Sequence, residues 1–245
     1  MKSSLILLII FAVARSAKFP PNFKICNRKN PNLDECLKEA GFIGVRQATK
    51  DYPEIHLPNL NPLEVNEMKI SAGSQGVVNV NQNFKNCKLY GVNTTSADTL
   101  QFDFEKNVAH VSGRIDELKV FCTYELNGKI LLLPISGSGP STVIIKKLKV
   151  KADYNFEQVK KKGKTYMHFT TFTVALEPGS VFFNFENLFN GDKKLGDNIN
   201  KVLNENSKQV FDDVKEGYAQ AFGSIVKQIL NNLFAKVSIE EAFDQ

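Results

Sequence analysis

The chain has 245 residues and a formal net charge of +5, from 31 lysines and arginines against 26 aspartates and glutamates. This length suits one sizeable domain, and the charge excess is too small to indicate a nucleic-acid-binding protein. After the first 17 residues, no apolar stretch reaches the roughly 20 residues that a membrane-spanning helix needs, so no stable membrane insertion is expected.

The first 17 residues have the pattern of a secretory signal peptide. Lys2 gives the positively charged start, an apolar run follows from Leu5 to Val13, and small residues flank Arg15. The run is too short to cross a bilayer, which favours a cleaved signal over an anchor. We therefore predict a signal peptide over residues 1–17 and a single domain over residues 18–245 of an exported, extracellular protein.

The four cysteines Cys26, Cys36, Cys87 and Cys122 form an even set. Export exposes them to an oxidising compartment, where disulfides are the rule, and four cysteines allow three pairings. The short polar loop between the first two favours Cys26–Cys36, which leaves Cys87–Cys122. Their spacing does not fit a zinc site, so no metal is predicted. The tripeptide Asn93-Thr94-Thr95 is a glycosylation sequon, which predicts a glycan on Asn93.

The segment after the signal predicts one short helix and then an extended connector. Asn32 is suited to cap a helix, with Glu35 three residues later, and Gly41 is expected to end or bend that helix. Prolines then recur between residues 52 and 63. Because a residue before proline avoids helical geometry, this stretch is expected to be extended.

Residues 66–186 alternate between apolar and polar side chains, as strands with one buried face do. Short turns between such strands imply an antiparallel meander. The alternating apolar sets include Leu100, Phe102 and Phe104; Leu118, Val120, Cys122 and Tyr124; Leu148, Val150, Ala152 and Tyr154; and Phe172, Val174 and Leu176. Turns are predicted at Asn127-Gly128, Ser136 to Pro140, Lys162-Gly163 and Pro178-Gly179.

From Leu195 the apolar residues follow helical spacing, and Asp192 is placed to favour a helix start. An unbroken helix there would run for about 41 residues and about 60 Å, longer than a compact domain of this size. Either Gly217 and Gly223 bend the helix or the molecule is elongated. A sheet curled around such a helix buries both apolar faces, which predicts an α+β fold with room for a lumen.

Catalytic signatures are weak in this sequence, and neither an enzyme nor a cofactor is predicted. His56, His110 and His168 are scattered, and Ser138 lies in a Gly-Ser-Gly turn without the nucleophile-elbow pattern. No zinc-protease motif, P-loop or dinucleotide fingerprint occurs. The lysine-rich strip between residues 146 and 164 alternates with apolar residues or flanks a turn, which is typical of a solvated strand face and loop.

Several segments resemble the insect takeout and juvenile-hormone-binding protein family. The stretch LFNGDKKLGDNINKVLNEN (188–206) is similar to its most recognisable motif. Three other features are similar to features of the family and occur in the same order along the chain. They are the cysteine pair at 26 and 36, the linker PNLNPLEVNEMKI (58–70) and the hairpin NGKILLLPISGSG (127–139). The resemblance implies one long C-terminal helix wrapped by a strongly curved antiparallel sheet, a TULIP-like super-roll enclosing a hydrophobic tunnel. It also implies a monomeric carrier of apolar ligands in haemolymph or sensory fluid.

Within this fold, alternation and helical spacing together predict which residues bind the ligand. The function that we predict is a secreted carrier of juvenile hormone, a terpenoid or a fatty-chain lipid. Two alternatives remain: a surface-signalling protein with a filled core, acting through an unknown receptor, and a lipid esterase. The predicted ligand-binding residues are Phe102, Phe104, Leu118, Val120, Phe172, Val174, Phe222, Ile225, Val226 and Ile229.

Overall fold

The computed structural model describes residues 17–71, 78–130 and 133–244. The predicted signal peptide falls almost wholly outside these ranges, so its boundary at residue 17 stays a prediction. Within them, a large curved antiparallel sheet surrounds a long C-terminal helix, as predicted. A search of the described helices for one long and apolar enough to cross a membrane finds none.

The sheet is built, over the described ranges, from seven strands. They are β1 (Leu63–Ser71), β2 (Val78–Tyr90), β3 (Ser96–Asp103), β4 (Val108–Ile130), β5 (Leu133–Lys161), β6 (Lys164–Glu177) and β7 (Ser180–Phe185). The path through the sheet is β1-β2-β4-β5-β6, while β3 pairs with β4 and β7 pairs with β5. The predicted simple meander is therefore wrong at two places, because β3 and β7 each join the sheet beside a strand other than the one preceding them.

The long hairpin of β4 and β5 forms the central pair of strands in the sheet. The two strands pair from Val108 opposite Asn155 to Ile130 opposite Leu133. Along one half of this hairpin the outer neighbours are β3 and β6, and along the other half they are β2 and β7. Strands of this length accumulate the right-handed twist of β-structure, so the sheet curls and acquires a concave inner face.

The inner face carries the apolar residues that alternation predicts. Leu118, Val120, Cys122 and Tyr124 of β4 are all buried, whereas the intervening Thr123 is exposed. The same alternation buries Leu148, Ala152 and Tyr154 of β5. The predicted assignment of the strand faces is confirmed in both long strands.

Two of the four predicted turns are confirmed. Lys162-Gly163 joins β5 to β6, with positive φ angles of 51° and 78°. Positive φ at both central residues is what a tight two-residue hairpin turn requires, and glycine adopts it without strain. Pro178-Gly179 separates β6 from β7.

The other two predicted turns are wrong, because both glycine-containing segments lie inside long strands. Asn127-Gly128 belongs to β4, and Ser136 to Pro140 belong to β5. A Cβ atom on Gly137 would lie 2.7 Å from the Tyr124 hydroxyl. Gly137 therefore permits close packing within the sheet and does not reverse the chain.

The helices are α1 (Leu33–Gln47), α2 (Lys193–Glu205), α3 (Ser207–Phe234) and α4 (Ile239–Phe243). The first begins after Asn32 as predicted, although the Asn32 side chain makes no capping hydrogen bond. Gly41 neither ends nor interrupts it, contrary to the prediction that it would end or bend the helix. A Cβ there would lie 2.8 Å from Leu100 Cδ2, so the glycine allows α1 to approach β3 closely.

The predicted C-terminal helix is divided in two. Asp192 caps α2 by accepting a hydrogen bond from the Leu195 N–H at 3.0 Å. The break lies at Asn206, with φ −113° and ψ 21°, and the prediction that Gly217 and Gly223 bend the helix is wrong. Both glycines lie inside α3, where a Cβ would clash with Ser71 on β1 and Phe172 on β6 respectively. They therefore let the helix lie close to both edges of the sheet.

Asparagine side chains complete the hydrogen bonding of two edge strands. Asn204 of α2 accepts from the Phe183 N–H at 2.9 Å and donates to the Phe183 carbonyl at 2.7 Å. Asn231 of α3 does the same for Phe169 of β6, at 2.7 and 3.0 Å. An amide side chain offers the same donor and acceptor as a strand backbone, so these helices satisfy edges that would otherwise be unpaired.

Both favoured disulfides are formed. Cys26–Cys36 ties the N-terminal segment to α1, with the two Cα atoms 5.8 Å apart. Cys87–Cys122 joins β2 to β4 with Cα atoms 4.2 Å apart, next to a bulge in their pairing. The first bridge fixes the helix that covers β3, and the second fixes the register of the sheet at its inner face.

Candidate ligand cavity

A cavity of about 340 Å³ lies between the inner face of the sheet, α1 and the C-terminal half of α3. Its described lining is mainly aliphatic, and Thr95, Ser112 and Tyr154 are the lining residues that carry a hydroxyl group. The lining side chains include Phe42 and Val45 of α1; Leu100, Val111, Ile115, Leu118, Leu148, Val150, Val174 and Leu176 of the sheet; and Phe222, Ile225, Val226 and Leu230 of α3. Such a lining suits an apolar ligand with few polar groups.

Two apolar side chains show that this space is open. Val226 is 40% exposed although it lies one helical turn from both Phe222 and Leu230, which also line the cavity. Phe42 of α1 is 38% exposed and lines the same space. Residues four apart share one face of a helix, so Val226 faces the lumen with that surface uncovered.

The cavity occupies only part of the interior. Further towards its N-terminus, α3 packs Phe211, Val214 and Tyr218 against the sheet with at most 2% exposure. Aromatic rings fill that end, including Tyr124 packed edge-on against Phe185 with ring centroids 5.0 Å apart. The inner space is thus solid beside the first half of α3 and open beside the second.

Five of the ten predicted ligand-binding residues line the cavity. Leu118 and Val174 reach it from the sheet, and Phe222, Ile225 and Val226 reach it from α3. The structure therefore brings together predicted residues from three separate elements. Whether each contacts a ligand stays a prediction.

The other five predicted residues lie elsewhere. Val120 is buried in the packed core, and Ile229 lines a neighbouring groove between β1 and α3. Phe172 covers Gly223 and receives Lys227 over its ring at 5.6 Å. The remaining two, Phe102 and Phe104, stack with each other at 5.9 Å and join Phe156 and Phe243 in a separate aromatic cluster.

Sequence reasoning missed the contribution of α1. Phe42 and Val45 lie three residues apart on the helix and both face the cavity. Because Gly41 was expected to end or bend α1, the predicted ligand-binding residues did not include Phe42 and Val45. Their helical spacing beyond the glycine was the pattern that could have identified them.

The electrostatics of the cavity favour uncharged ligands. Its described lining contains no aspartate, glutamate, lysine, arginine or histidine. Burial raises the pKa of Tyr154 further above neutrality, so this residue adds no charge to the lining and its hydroxyl can donate a hydrogen bond.

The residues weighed for catalysis lie away from this cavity. His110 pairs with Asp153 on another surface, with 2.6 Å between Nδ1 and Oδ1, and His56 and His168 are exposed. Ser138 lies exposed in β5. Among the described residues, no group of three or more histidines, cysteines or acidic residues is arranged to hold a metal ion.

Comparison with known proteins finds a family model and relatives that cover nearly the whole chain. The family model described as haemolymph juvenile hormone binding protein matches residues 5–244. The circadian clock-controlled protein daywake of Drosophila melanogaster is 27% identical over 241 residues, covering 95% of this chain and 91% of its own. Daywake of Drosophila yakuba is 26% identical over 236 residues, covering 93% and 89% respectively.

A solved structure shares the fold. The crystal structure of Takeout 1 from Epiphyas postvittana superposes with a TM-score of 0.77 at 24% identity, covering 91% of this chain and 100% of that one. At this identity the likeness establishes the architecture, a curved sheet around a long helix. Because the family model spans nearly the whole sequence, the chain belongs to the haemolymph juvenile hormone binding protein family.

Proposed function

We propose that this protein is a secreted, monomeric carrier that holds a small apolar ligand in the cavity between the sheet, α1 and α3. The observation that carries the proposal is an open space of about 340 Å³ with an uncharged, mainly aliphatic lining. The ligand classes that suit it are juvenile hormone, other terpenoids and fatty-chain lipids. The two disulfides support export, because such bonds persist in oxidising compartments.

Binding would be driven by removal of apolar surface from water. Transfer of about ten methylene groups contributes roughly 8 kcal/mol, and association costs several kcal/mol of lost translational and side-chain freedom. The balance supports moderate affinity for many chains of similar length. Selectivity must then come from cavity shape or from a well-placed hydrogen bond.

The alternative of a surface-signalling protein with a filled core is less well supported. A filled core would bury Val226 on the inward face of α3, yet this side chain is 40% exposed. Among the described lining residues of the cavity there is no histidine or carboxylate that could act as the base for a nucleophile, which counts against the esterase alternative. We therefore propose that the protein has no hydrolase activity of its own.

The direct test is native mass spectrometry of the protein secreted from insect cells, before and after organic extraction. We expect an adduct of a few hundred daltons that disappears on extraction and returns on incubation with an apolar chain. A protein that carries no adduct and also fails to bind N-phenyl-1-naphthylamine, an apolar fluorescent dye, would refute the carrier proposal.

A further inference from the structure

A second concave region lies on the other side of α3 from β6. It is a groove of about 610 Å³ between β1 and α3, lined by residues 63–69 of β1 and by α3 from Gln220 to Asn232. Strand β1 is at one end of the strand order and pairs only with β2 among the described strands. Alternate backbone N–H and C=O groups of an edge strand point away from its partner, so those of β1 face the groove.

The two sides of α3 are held differently. On the β6 side, Asn231 pairs with both backbone groups of Phe169, and Lys227 Nζ donates to the Thr170 carbonyl at 3.1 Å. On the β1 side, Gly217 brings the helix against Ser71, but the groove opens alongside the rest of the helix. The seam between α3 and β1 is therefore closed at one end and open along most of its length.

The helix presents one row of uncharged polar side chains to this groove. Gln220, Ser224, Gln228 and Asn232 recur every four residues and are all exposed. Within the described residues, we find no hydrogen-bond partner for any of these four side chains. Amides and a hydroxyl both donate and accept, which suits hydroxyl, ester or amide groups of a ligand.

The charges of the groove are already paired. Glu67 lies 3.6 Å from Lys69, and Glu64 lies 3.7 Å from Lys88. Among the described lining residues, Lys69 is the sole cation. A phosphate or carboxylate would therefore find no uncompensated positive charge, whereas a neutral polar group would lose little on entering.

The groove and the ligand cavity adjoin, because they share two lining side chains. Leu63 of β1 and Ile225 of α3 line both spaces. The cavity alone is at the lower end of the range for small-molecule pockets, roughly 300 to 1,000 Å³. A ligand that extends from the cavity past these two side chains would reach the row of uncharged polar side chains.

We propose that this groove binds the uncharged, hydrogen-bonding head group of an amphipathic ligand whose apolar tail lies in the cavity. The head-group chemistry is that of a neutral polyol or acylglycerol. The inference rests on the proposed carrier function, since it assigns the polar end of the same ligand. Gln228 and Asn232 lie on the same helix face as Ile225 and are its nearest polar neighbours in the row towards the C-terminus.

The test compares three ligands with the same twelve-carbon acyl chain: 1-monolaurin, methyl laurate and laurate. Each is titrated against the protein loaded with N-phenyl-1-naphthylamine, and displacement gives the affinity. The variant is Gln228→Leu/Asn232→Leu, and the control is Gln209→Leu, an exposed position of α3 outside the groove. Leucine is a good helix former, so these exposed changes preserve the helix. Gln228→Ala/Asn232→Ala serves as a second variant without added apolar surface.

We expect the double variants to weaken monolaurin binding about tenfold, the loss of two hydrogen bonds of ordinary net strength. The affinity for methyl laurate should change less than about twofold, because this ligand has no hydroxyl group to bond to the two side chains. The control Gln209→Leu should bind all three ligands as the wild type does. An unchanged ratio of monolaurin to methyl laurate affinity in both double variants, or tighter wild-type binding of laurate than of monolaurin, would overturn the head-group site while leaving the carrier intact. If neither the dye nor methyl laurate binds the wild-type protein, the proposed function and this inference both fail.

Discussion

Replacement of Val226 by phenylalanine tests whether the space beside α3 is a lumen or a packed core. Val226 is 40% exposed on the cavity side of the helix, so the larger ring has room to enter without moving its neighbours. Val214 lies three turns earlier on the same helix and is only 2% exposed. The same substitution at Val214 is therefore a matched control in the packed half of the interior.

The two variants should differ in stability and in ligand preference. Overpacking of a filled core costs about 1–3 kcal/mol, which we expect for Val214→Phe. We expect Val226→Phe to change the free energy of unfolding by less than about 0.5 kcal/mol, the usual range for a site without packing constraint. The added ring carbons displace about three or four methylene groups of a ligand, which at ~0.8 kcal/mol each weakens the longest chains by about 3 kcal/mol.

Urea unfolding measures the stability of both variants, and displacement of N-phenyl-1-naphthylamine by fatty alcohols of 8 to 18 carbons measures chain-length preference. Val226→Phe should shift the preferred chain to a shorter length, and Val214→Phe should leave the preference unchanged. If Val226→Phe is destabilised as much as Val214→Phe and its chain-length preference stays that of the wild type, the cavity does not hold the ligand.

Two further predictions concern the elements that hold the cavity together. Asn231→Leu leaves both backbone groups of Phe169 without their partner, so it should lower the free energy of unfolding in urea by about 2 kcal/mol. The control Asn232→Leu should change this free energy by less than about 0.5 kcal/mol. Equal effects of the two substitutions would contradict the pairing of Asn231 with the edge of β6. Removal of the Cys87–Cys122 bridge, which spans 35 residues, by Cys87→Ser/Cys122→Ser should lower stability by about 3.8 kcal/mol in the chain-entropy estimate. Peptide mapping that finds either cysteine alkylatable in the unreduced wild-type protein would contradict that bridge.

The faces of the strands were predictable from sequence because each choice is local. A strand alternates every second residue, so Leu118, Val120 and Tyr124 must share one side wherever the sheet lies. The helix start at Asp192 was predictable for the same reason, because its carboxylate bonds the Leu195 N–H three residues later.

The predictions for glycine were wrong because the structural role of a glycine depends on which segment of the chain packs against it. Gly137 and Gly217 look like turn and bend residues in the sequence, yet each leaves room for another segment of the chain. The helix break at Asn206 has a similar origin. Asn200 and Asn204 tie α2 to β7 before the break, whereas α3 must run along β1 and β6, so the change of direction is set by two different parts of the sheet.

The position of the cavity was the least predictable feature, because it follows from where rings and aliphatic side chains meet in three dimensions. The phenylalanines that the sequence predicts to bind the ligand are Phe102, Phe104, Phe172 and Phe222. In the structure most rings fill the packed end or the cluster around Phe243, and Phe42 and Phe222 are the phenylalanines of the described lining. Most aromatic rings therefore pack against one another in these two regions, whereas the lining of the cavity is mainly aliphatic. The cavity therefore depends on how closely α1 packs on β3 and α3 packs on β6, an approach that Gly41 and Gly223 permit by leaving room for Leu100 and Phe172.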